Sequence, residues 1–297
     1  MDRAQIKPSL FSIKKLRGDF ENHLKQSSVF FGKETALTQA CTYALLNGGK
    51  RLRPLIVIML SKALGKGFCS MEAALSVEYF HTASLIADDL PCMDNDDIRR
   101  EKPSLHKQFG ETTALLASYA LISAAYEKIF SSVESLKKQL KPSNPEWGNQ
   151  ICTLALKHAS KCSGILGATG GQFLDIFSKK IDLEEIYEVI DKKTVTLFKI
   201  SFLFGWLFGG GDTSEIETIT AISKHFGRAF QILDDLLDFS QDNEDSLNIA
   251  RFLGKNESKK LFFSELGFFQ KKMESLGVFS DHFADLTSYL NDQAINI

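Results

Sequence analysis

SVEYFHTASLIADDLPCMDNDDIRR, residues 76–100, is the stretch that decides both the fold and the chemistry expected of this chain. Apolar residues recur at helical spacing through its first half, which indicates a buried helix ending in Asp88 and Asp89. Pro91 then stops the helix, because proline has no amide hydrogen and restricts the residue before it. Five aspartates and two arginines therefore gather at one helix end.

The spacing of these aspartates indicates a cation site. On an ideal helix Asp88 and Asp94 would lie about 120° apart, so they converge only if the chain bends between them, and Pro91 supplies that bend. With Asp89 they form a set of hard oxygen ligands that suits Mg²⁺. The EF-hand calcium pattern is missing, whereas a solvated acidic loop remains the alternative for this stretch taken alone.

A second acidic block, FQILDDLLDFS, occupies residues 230–240. Asp234 and Asp238 are four residues apart and share a helix face, while Asp235 lies one step round the helix. The surrounding residues are apolar nearly all round, and buried carboxylates are paired or bind metal. Two such blocks on separate helices predict one Mg²⁺ cluster held from both sides.

Composition limits the possible classes of protein. The 297 residues are 44% hydrophobic, with 20 Gly and 6 Pro and no long Ser/Pro-rich linker, so we expect a single domain spanning 1–297. A formal net charge of −2 gives no case for nucleic-acid binding. Five cysteines without a CxxC pair indicate neither disulfides nor zinc, which fits the cytoplasm. Signal-peptide and membrane-spanning patterns are also lacking, so we expect no stable membrane insertion.

Helical periodicity runs through most of the chain. It predicts helices over residues 6–26, 35–46, 55–63, 72–87, 112–132, 151–177, 182–193, 194–208, 213–226, 227–239, 258–276 and 281–290. Pro54 is expected as the first residue of its helix, and residues 140–150 as a flexible connection. Because strand-like alternation does not persist anywhere, the predicted class is all-α.

GGKRLRP, residues 48–54, combines flexible glycines with Lys50, Arg51 and Arg53 just before a predicted helix N-terminus. Such a turn suits an anion, because the helix dipole and the cations act together. Taken alone, such a basic turn is more often a solvated turn. Its combination with two acidic metal sites favours a diphosphate ester as the ligand.

Together these motifs resemble those of the trans-isoprenyl diphosphate synthases, the farnesyl and geranylgeranyl diphosphate synthases. The resemblance covers residues 35–255 and implies a bundle of long helices around a deep central cavity, usually in a homodimer. The two aspartate blocks would face each other across the cavity mouth. Its motifs are GGKRLRP at 48–54, DDLPCMD at 88–94 with RR at 99–100, HKQFG at 106–110, GGQFLD at 170–175, KT at 193–194 and FQILDDLLD at 230–238.

The resemblance implies two substrate sites. An allylic diphosphate would be held through Mg²⁺ by carboxylates from both blocks and ionised to an allylic cation. The residues implied in this half are Asp88, Asp89, Asp94, Arg99, Lys193, Asp234, Asp235 and Asp238, with Thr194 and Gln231 lining the place where the cation forms. Isopentenyl diphosphate would bind at Gly49, Lys50, Arg53, His81 and Arg100, although a lone histidine on an apolar helix is more often an ordinary core residue.

The sequence departs from the family pattern at three places. Glu101 replaces a common glycine, Tyr119 replaces a common aspartate, and SQDNEDSLN at 240–248 lacks the usual lysines. These departures keep open a weakly active or non-catalytic partner subunit of another prenyl diphosphate synthase. A terpene cyclase is a weaker alternative, because it would not explain the second aspartate block or GGKRLRP.

Product length is expected to depend on residues one helical turn before Asp88. Ala83 and Ser84 are small there and cannot block a growing chain, which favours a twenty-carbon product. Phe80 lies one turn deeper, and Tyr119 or Tyr126 could fill the same space from a neighbouring helix. A fifteen-carbon product is therefore the close alternative.

Overall fold

The computed structural model describes residues 8–27, 31–139, 145–178, 182–240 and 247–297. Helices dominate these ranges, which confirms the predicted all-α class. The helices are α1 (Pro8–Ser27), α2 (Ala36–Leu45), α3 (Leu52–Ala63), α4 (Met71–Asp88), α5 (Leu105–Phe109), α6 (Glu111–Gln139), α7 (Pro145–Ser163), α8 (Ala168–Phe177), α9 (Leu183–Val189), α10 (Thr196–Phe208), α11 (Ile216–Leu237), α12 (Ile249–Leu253), α13 (Lys255–Ser275) and α14 (Asp281–Ile295). A π-helical segment, Ile190–Val195, joins α9 to α10, and a short 3₁₀ turn, Thr213–Glu215, precedes α11.

The most apolar helix, α10, lies at the centre of the bundle. It packs against α3, α4, α7 and α11, while α4 lies along α6 and α11 along α13. A helix that is apolar all round needs neighbours on every side, so its composition accounts for its central place. Among the described ranges, no helix is both long and apolar enough to cross a bilayer.

Aromatic side chains lock α10 to the helices behind it. The Phe198 ring of α10 lies 5.1 Å from the Phe226 ring of α11, edge to face. Phe202 contacts Phe269 of α13 at 5.8 Å, and Phe226 contacts Phe269 at 5.0 Å. Edge-to-face rings attract beyond their burial. These ring contacts pack α10 and α13 against α11, the helix that bears the second aspartate block.

Several predicted helix boundaries are wrong. Helix α3 begins at Leu52, so Pro54 is its third residue, where an amide hydrogen is not yet needed. Helix α7 begins at Pro145, inside the predicted connection, whose residues 140–144 lie outside the described ranges. The helix predicted over 151–177 is two helices, separated by a turn in which Gly167 N donates to Gly164 O at 2.9 Å.

The helices predicted over 213–226 and 227–239 form one helix, α11. Gly227 lies inside it, and a Cβ there would be only 3.0 Å from Val195 Cα. This glycine permits close helix packing rather than a break.

A hairpin of two-residue strands also departs from the prediction. Strands β1 (Ile98–Arg99) and β2 (Lys102–Pro103) pair antiparallel, with Ile98 opposite Pro103. The turn residues Arg100 and Glu101 have φ of 55° and 67°, the left-handed pair of a two-residue hairpin turn. Strands of two residues are too short for alternation to reveal them in the sequence.

Candidate functional site

The first aspartate block forms a tight turn at the end of α4. Asp88 is the last residue of α4, and the amide of Asp94 donates to its carbonyl oxygen at 2.9 Å. The chain therefore bends back after Pro91, as the sequence predicts. Burial raises the pKa of Asp88 to about 7, and Asp94 adds to the rise, whereas Lys193 opposes it. Asp88 thus lies in a partly desolvated place that favours a nearby cation.

Asp89 points to a different partner. Its side chain is buried and accepts hydrogen bonds from Arg99, with Nε at 2.8 Å from Oδ1. Arg99 also donates to Asp96 at 2.9 Å. Asp89 is thus paired with Arg99, although its charge, like that of Asp94, acts on Asp88. Its predicted place among the metal ligands stays a prediction.

Helix α8 supplies two polar residues to the same place. Gln172 Nε2 lies 3.3 Å from Asp94 Oδ1, and Asp175 forms an ion pair with Lys193. Burial lowers the pKa of Lys193, but Asp175, Asp88 and Asp94 offset that effect, and the pKa is raised. Lys193 is therefore a fully charged ammonium group facing the first block.

The local backbone explains how Lys193 and Thr194 reach the site. Both belong to the π-helical segment, whose wider turn differs from the α-helix expected there. Such segments are rare and are frequently found at functional sites. Gly171 of α8 packs directly on this segment, and a Cβ on it would lie 2.4 Å from Lys193 N. The second glycine of GGQFLD is thus required by the close approach of two backbones.

The second block lies in the last turn of α11. Asp238 caps this helix, its amide donating to Asp234 O at 2.9 Å. Burial raises the pKa of Asp234 to about 6; Asp238 contributes to the rise, while Lys50 and Arg53 oppose it. These cations belong to the GGKRLRP turn, so the second block faces that turn.

Asp235 is held by hydrogen bonds from α11 and α12, and the catalytic role that the resemblance implies for it stays a prediction. It is 6% exposed, and its carboxylate accepts from Gln231 Nε2 at 2.7 Å and from Ile249 N at 2.8 Å. Gln231 in turn accepts from the Thr194 hydroxyl at 2.6 Å. Asp235 therefore orients the predicted pair Gln231 and Thr194 and fixes the start of α12.

The basic turn depends on its glycines. Gly48 and Gly49 have φ of 82° and 107°, and a Cβ on Gly49 would lie 2.4 Å from Arg100 Cζ. The guanidinium of Arg100 occupies that space and donates to Gly48 O. Arg51, which we expected in the anion site, is instead buried against Glu78. The cations left at the turn are Lys50, Arg53 and Arg100.

Arg53 and His81 form a partly buried pair between α3 and α4. Arg53 Nη1 lies 3.3 Å from His81 Nε2, and its Cζ lies 4.5 Å from the centre of the Phe198 ring. Burial lowers the pKa of Arg53 to about 10, and burial with the neighbouring arginines lowers the pKa of His81 well below 6.5. At neutral pH His81 is neutral, whereas Arg53 carries charge.

A cavity of about 410 Å³ opens at part of this site, and its lining includes neither Asp234 nor Asp238. Arg53, His81, Asp88, Lys193 and Thr194 lie in its wall. Its apolar part is formed by Phe80, Ala83, Leu85, Ala87, Met93, Ile122, Ala168, Phe173, Ile176, Phe177 and Leu197, with Ser84, Ser118, Ser163, Thr169 and Gln172 among them. The cavity therefore offers a charged end and a long apolar pocket.

Three lining residues carry a buried polar atom with no hydrogen-bond partner within the described ranges. They are Arg53 through Nε, His81 through Nδ1 and Gln172 through Oε1. Because unpaired buried polar atoms are costly, the cavity suits a polar ligand.

The residues present fit Mg²⁺. No three His, Cys, Asp or Glu side chains in the described part of the chain are grouped closely enough to enclose a metal by themselves. Mg²⁺ is usually bound through one or two carboxylates together with substrate phosphates. The oxygen-only donors Asp88 and Asp94 on one side, and Asp234 and Asp238 on the other, suit that arrangement.

Comparison of the sequence with known proteins identifies its family. The sequence profile of the polyprenyl synthetases matches residues 34–250. The chain belongs to the polyprenyl synthetase family. By class it is therefore a prenyl-transferring enzyme, an isoprenyl diphosphate synthase, as the motifs imply.

Relatives of this polyprenyl synthetase come from plants and bacteria. It is 33% identical to the large subunit 1 of a heterodimeric geranylgeranyl pyrophosphate synthase of Arabidopsis thaliana, over 97% of this chain and 80% of that protein. It is 36% identical to the farnesyl diphosphate synthase of Bacillus subtilis, over 75% of this chain and 73% of that protein. The chain spans 65% and 56% of two further Arabidopsis relatives, which are longer.

The fold of this polyprenyl synthetase is similar to that of a geranyltransferase from Legionella pneumophila. The TM-score is 0.84 at 27% identity, and the alignment covers 97% of this chain and 98% of that one. The central cavity of the helical bundle thus agrees with the architecture that the motifs imply.

Sequence reasoning missed several residues of the site. Gln172 and Asp175 lie in the quoted GGQFLD motif, which could have identified them as polar partners of Asp94 and Lys193. Ser118 and Ile122 carry no such signal, since only the packing of α6 on α4 brings them to the cavity. Tyr119, expected as a possible filler of the cavity, is 59% exposed and lies on the outer face of α6.

Proposed function

We propose that this protein condenses isopentenyl diphosphate with an allylic diphosphate (dimethylallyl, geranyl or farnesyl) to give geranylgeranyl or farnesyl diphosphate. The observation that supports this most directly is one cavity with Asp88 and Lys193 at its charged end and an apolar pocket beyond them. A diphosphate and a hydrocarbon tail need those two environments side by side.

The carboxylates and Lys193 would act on the allylic diphosphate. Asp88, Asp94, Asp234 and Asp238 would hold Mg²⁺, which when bound neutralises charge on the leaving group. Lys193, held by Asp175, adds a cation that is already oriented before substrate arrives. Thr194 and Gln231 present oxygen atoms next to the point where the C–O bond breaks.

The second diphosphate would bind at the basic turn. Gly49 allows Arg100 to approach, and Lys50, Arg53 and Arg100 supply positive charge. Neutral His81 can donate a hydrogen bond without adding charge. The double bond of isopentenyl diphosphate then attacks the allylic cation, and a proton passes to the released diphosphate, so no protein base is required.

We favour the twenty-carbon product. Ala83 and Ser84 line the cavity, and the Ser118 hydroxyl donates to Ala83 O at 2.9 Å, so the wall is built of small residues there. Below them the Phe80 and Tyr126 rings meet edge to face at 5.1 Å and would form the floor. A fifteen-carbon product would require this aromatic pair to stop the chain one five-carbon unit earlier.

A weakly active or non-catalytic subunit is the second candidate. It is favoured by the similarity to a protein named as one subunit of a heterodimer, and by Glu101 at a left-handed turn position. Residues 241–246, where the usual lysines are missing, lie outside the described ranges.

We propose a cytoplasmic homodimer as the working form of the synthase.

One assay tests both candidates. Purified full chain is incubated with radiolabelled isopentenyl diphosphate, Mg²⁺ and each allylic primer, and labelled product is extracted and measured. The proposed synthase gives product that EDTA abolishes. If no primer gives product although the chain is folded, the catalytic proposal is wrong and the subunit candidate gains support.

A further inference from the structure

Helix α1 lies outside the family match yet reaches the basic turn. The match begins at residue 34, whereas α1 spans Pro8–Ser27. Leu16, Phe20 and Leu24 anchor α1 in the core. From the same helix, Glu21 Oε1 accepts a hydrogen bond from Arg51 Nε at 2.8 Å.

Arg51 is held on three sides. Besides Glu21, its guanidinium donates to Glu78 of α4 and, through Nη2, to Leu45 O at 2.6 Å. Both Arg51 and Glu78 have fully buried side chains. Arg51 therefore cannot reach a ligand in the cavity, and its charge is used to join α1, the basic turn and α4.

These contacts fix the backbone where the basic turn enters α3. Arg51 is the N-cap of α3 with φ of 53°, a left-handed conformation that a residue with a side chain adopts only when its surroundings impose it. Lys50 precedes it directly, and Arg53 follows two residues later. The direction in which both cations leave the turn thus depends on Arg51 staying in place.

Glu78 acts on the same group of cations from the other side. It lies one helical turn before His81, and its charge is felt by Arg51, Arg53 and Arg100. A buried carboxylate among three arginines offsets their mutual repulsion. The turn can therefore keep its cations close together before a diphosphate arrives.

We propose that Glu21, Arg51 and Glu78 form a positioning triad that sets the basic turn for the diphosphate of the substrate that does not ionise. Helix α1 then supports that binding site from behind the turn. None of the three touches substrate, and the inference rests on the proposed function of the turn.

The test compares Glu21→Gln with Glu72→Gln in the full chain. Glu72 also ties α1 to α4, through His23 at 2.8 Å, and binds Lys128 at 2.8 Å, remote from the turn. The two glutamates are similarly exposed, 23% for Glu21 and 25% for Glu72. Glutamine keeps the shape of the side chain, so both variants should fold.

We expect Glu21→Gln to raise the KM for isopentenyl diphosphate about fivefold to tenfold, because a charged hydrogen bond becomes a neutral one. The kcat and the KM for the allylic substrate should change less than about twofold, as should all constants of Glu72→Gln. Glu21→Asp, which restores the charge, should recover part of the loss. Equal effects in Glu21→Gln and Glu72→Gln, or an unchanged KM in Glu21→Gln, would overturn the proposal.

Amide hydrogen exchange provides a second test of the triad, one that needs no substrate. Peptides covering residues 46–53 should exchange faster in Glu21→Gln than in wild type or Glu72→Gln. If wild type makes no product, the proposed function fails, but this measurement still decides whether the triad holds the turn. Unchanged protection of these peptides in Glu21→Gln would overturn the triad.

Discussion

Gly171 of α8 lies so close to Lys193 of the π-helical segment that a Cβ on Gly171 would be 2.4 Å from the Lys193 nitrogen. The carbonyl carbon of Lys192 would be 2.8 Å away. Both neighbours are backbone, which cannot move aside as a flexible side chain does. The place of the Lys193 ammonium beside Asp88 and Asp94 therefore depends on the absence of a side chain at 171.

Gly171→Ala should reduce turnover about 100-fold, since a displacement of about 1 Å in a catalytic group has that effect. Steady-state kinetics and a thermal melt would measure this. The matched control is Gly267→Ala in α13, where a Cβ meets no atom within 4 Å. That change should leave activity intact and stabilise the fold by about 0.5–1 kcal/mol. Near-normal turnover in Gly171→Ala would contradict the packing argument.

Asp88→Ala and Asp234→Ala should each lower kcat at least about 1000-fold while the circular dichroism spectrum stays unchanged. Each removes one side of the oxygen donor set that suits Mg²⁺. Asp97→Ala is the control, because Asp97 is on the same loop but pairs with Lys107 at 2.8 Å on the surface. Should either variant keep normal turnover, the two-sided arrangement is wrong.

Lys50→Ala and Arg53→Ala should raise the KM for isopentenyl diphosphate about tenfold with a smaller change in kcat. These cations bind a group that does not ionise, so they act nearly equally in ground and transition state. Lys62→Ala, an exposed lysine of α3, serves as the control. A defect mainly in the allylic substrate would reverse the assignment of the two sites.

Ala83→Phe should shorten the product by one or more five-carbon units and spare turnover. Ala83 is 1% exposed and lies in the cavity wall, so a phenyl ring there enters the path of the growing chain. Chromatography of the dephosphorylated products measures the length. Tyr119→Ala, on the outer face of α6, should leave it unchanged. An unaltered product in Ala83→Phe would place the floor elsewhere.

Glu101→Gly should stabilise the protein by about 0.5–1 kcal/mol, the net of relieved left-handed strain and added chain entropy. Glu101 has φ of 67°, a backbone conformation that glycine adopts without strain. Urea denaturation measures the difference. Lys102→Gly, in the adjoining strand, should instead destabilise the protein by about 0.5–1 kcal/mol. A loss of stability in Glu101→Gly would mean that the glutamate side chain has a compensating contact.

Prediction from sequence succeeded where the signal is local. Periodicity predicts a helix over 194–208, most of which forms α10, and the bend at Pro91 follows from proline chemistry. It failed at Gly227, because whether a glycine breaks a helix or permits close packing depends on the neighbouring backbone. It also failed at Pro54, because the first three positions of a helix all tolerate proline. The two-residue strands escaped because their pairing is short and depends on the turn at Arg100 and Glu101.

By itself, the sequence determined the all-α class, the two aspartate blocks and the glycine-rich basic turn, since periodicity, spacing and residue chemistry are local properties. Only the tertiary structure decided which charged side chains pair with other protein groups. Asp89 is paired with Arg99, Asp235 supports Gln231, and Arg51 is buried against Glu78. These roles differ from those of chemically identical neighbours because burial and long-range contacts, which no spacing encodes, select the partners of each charge.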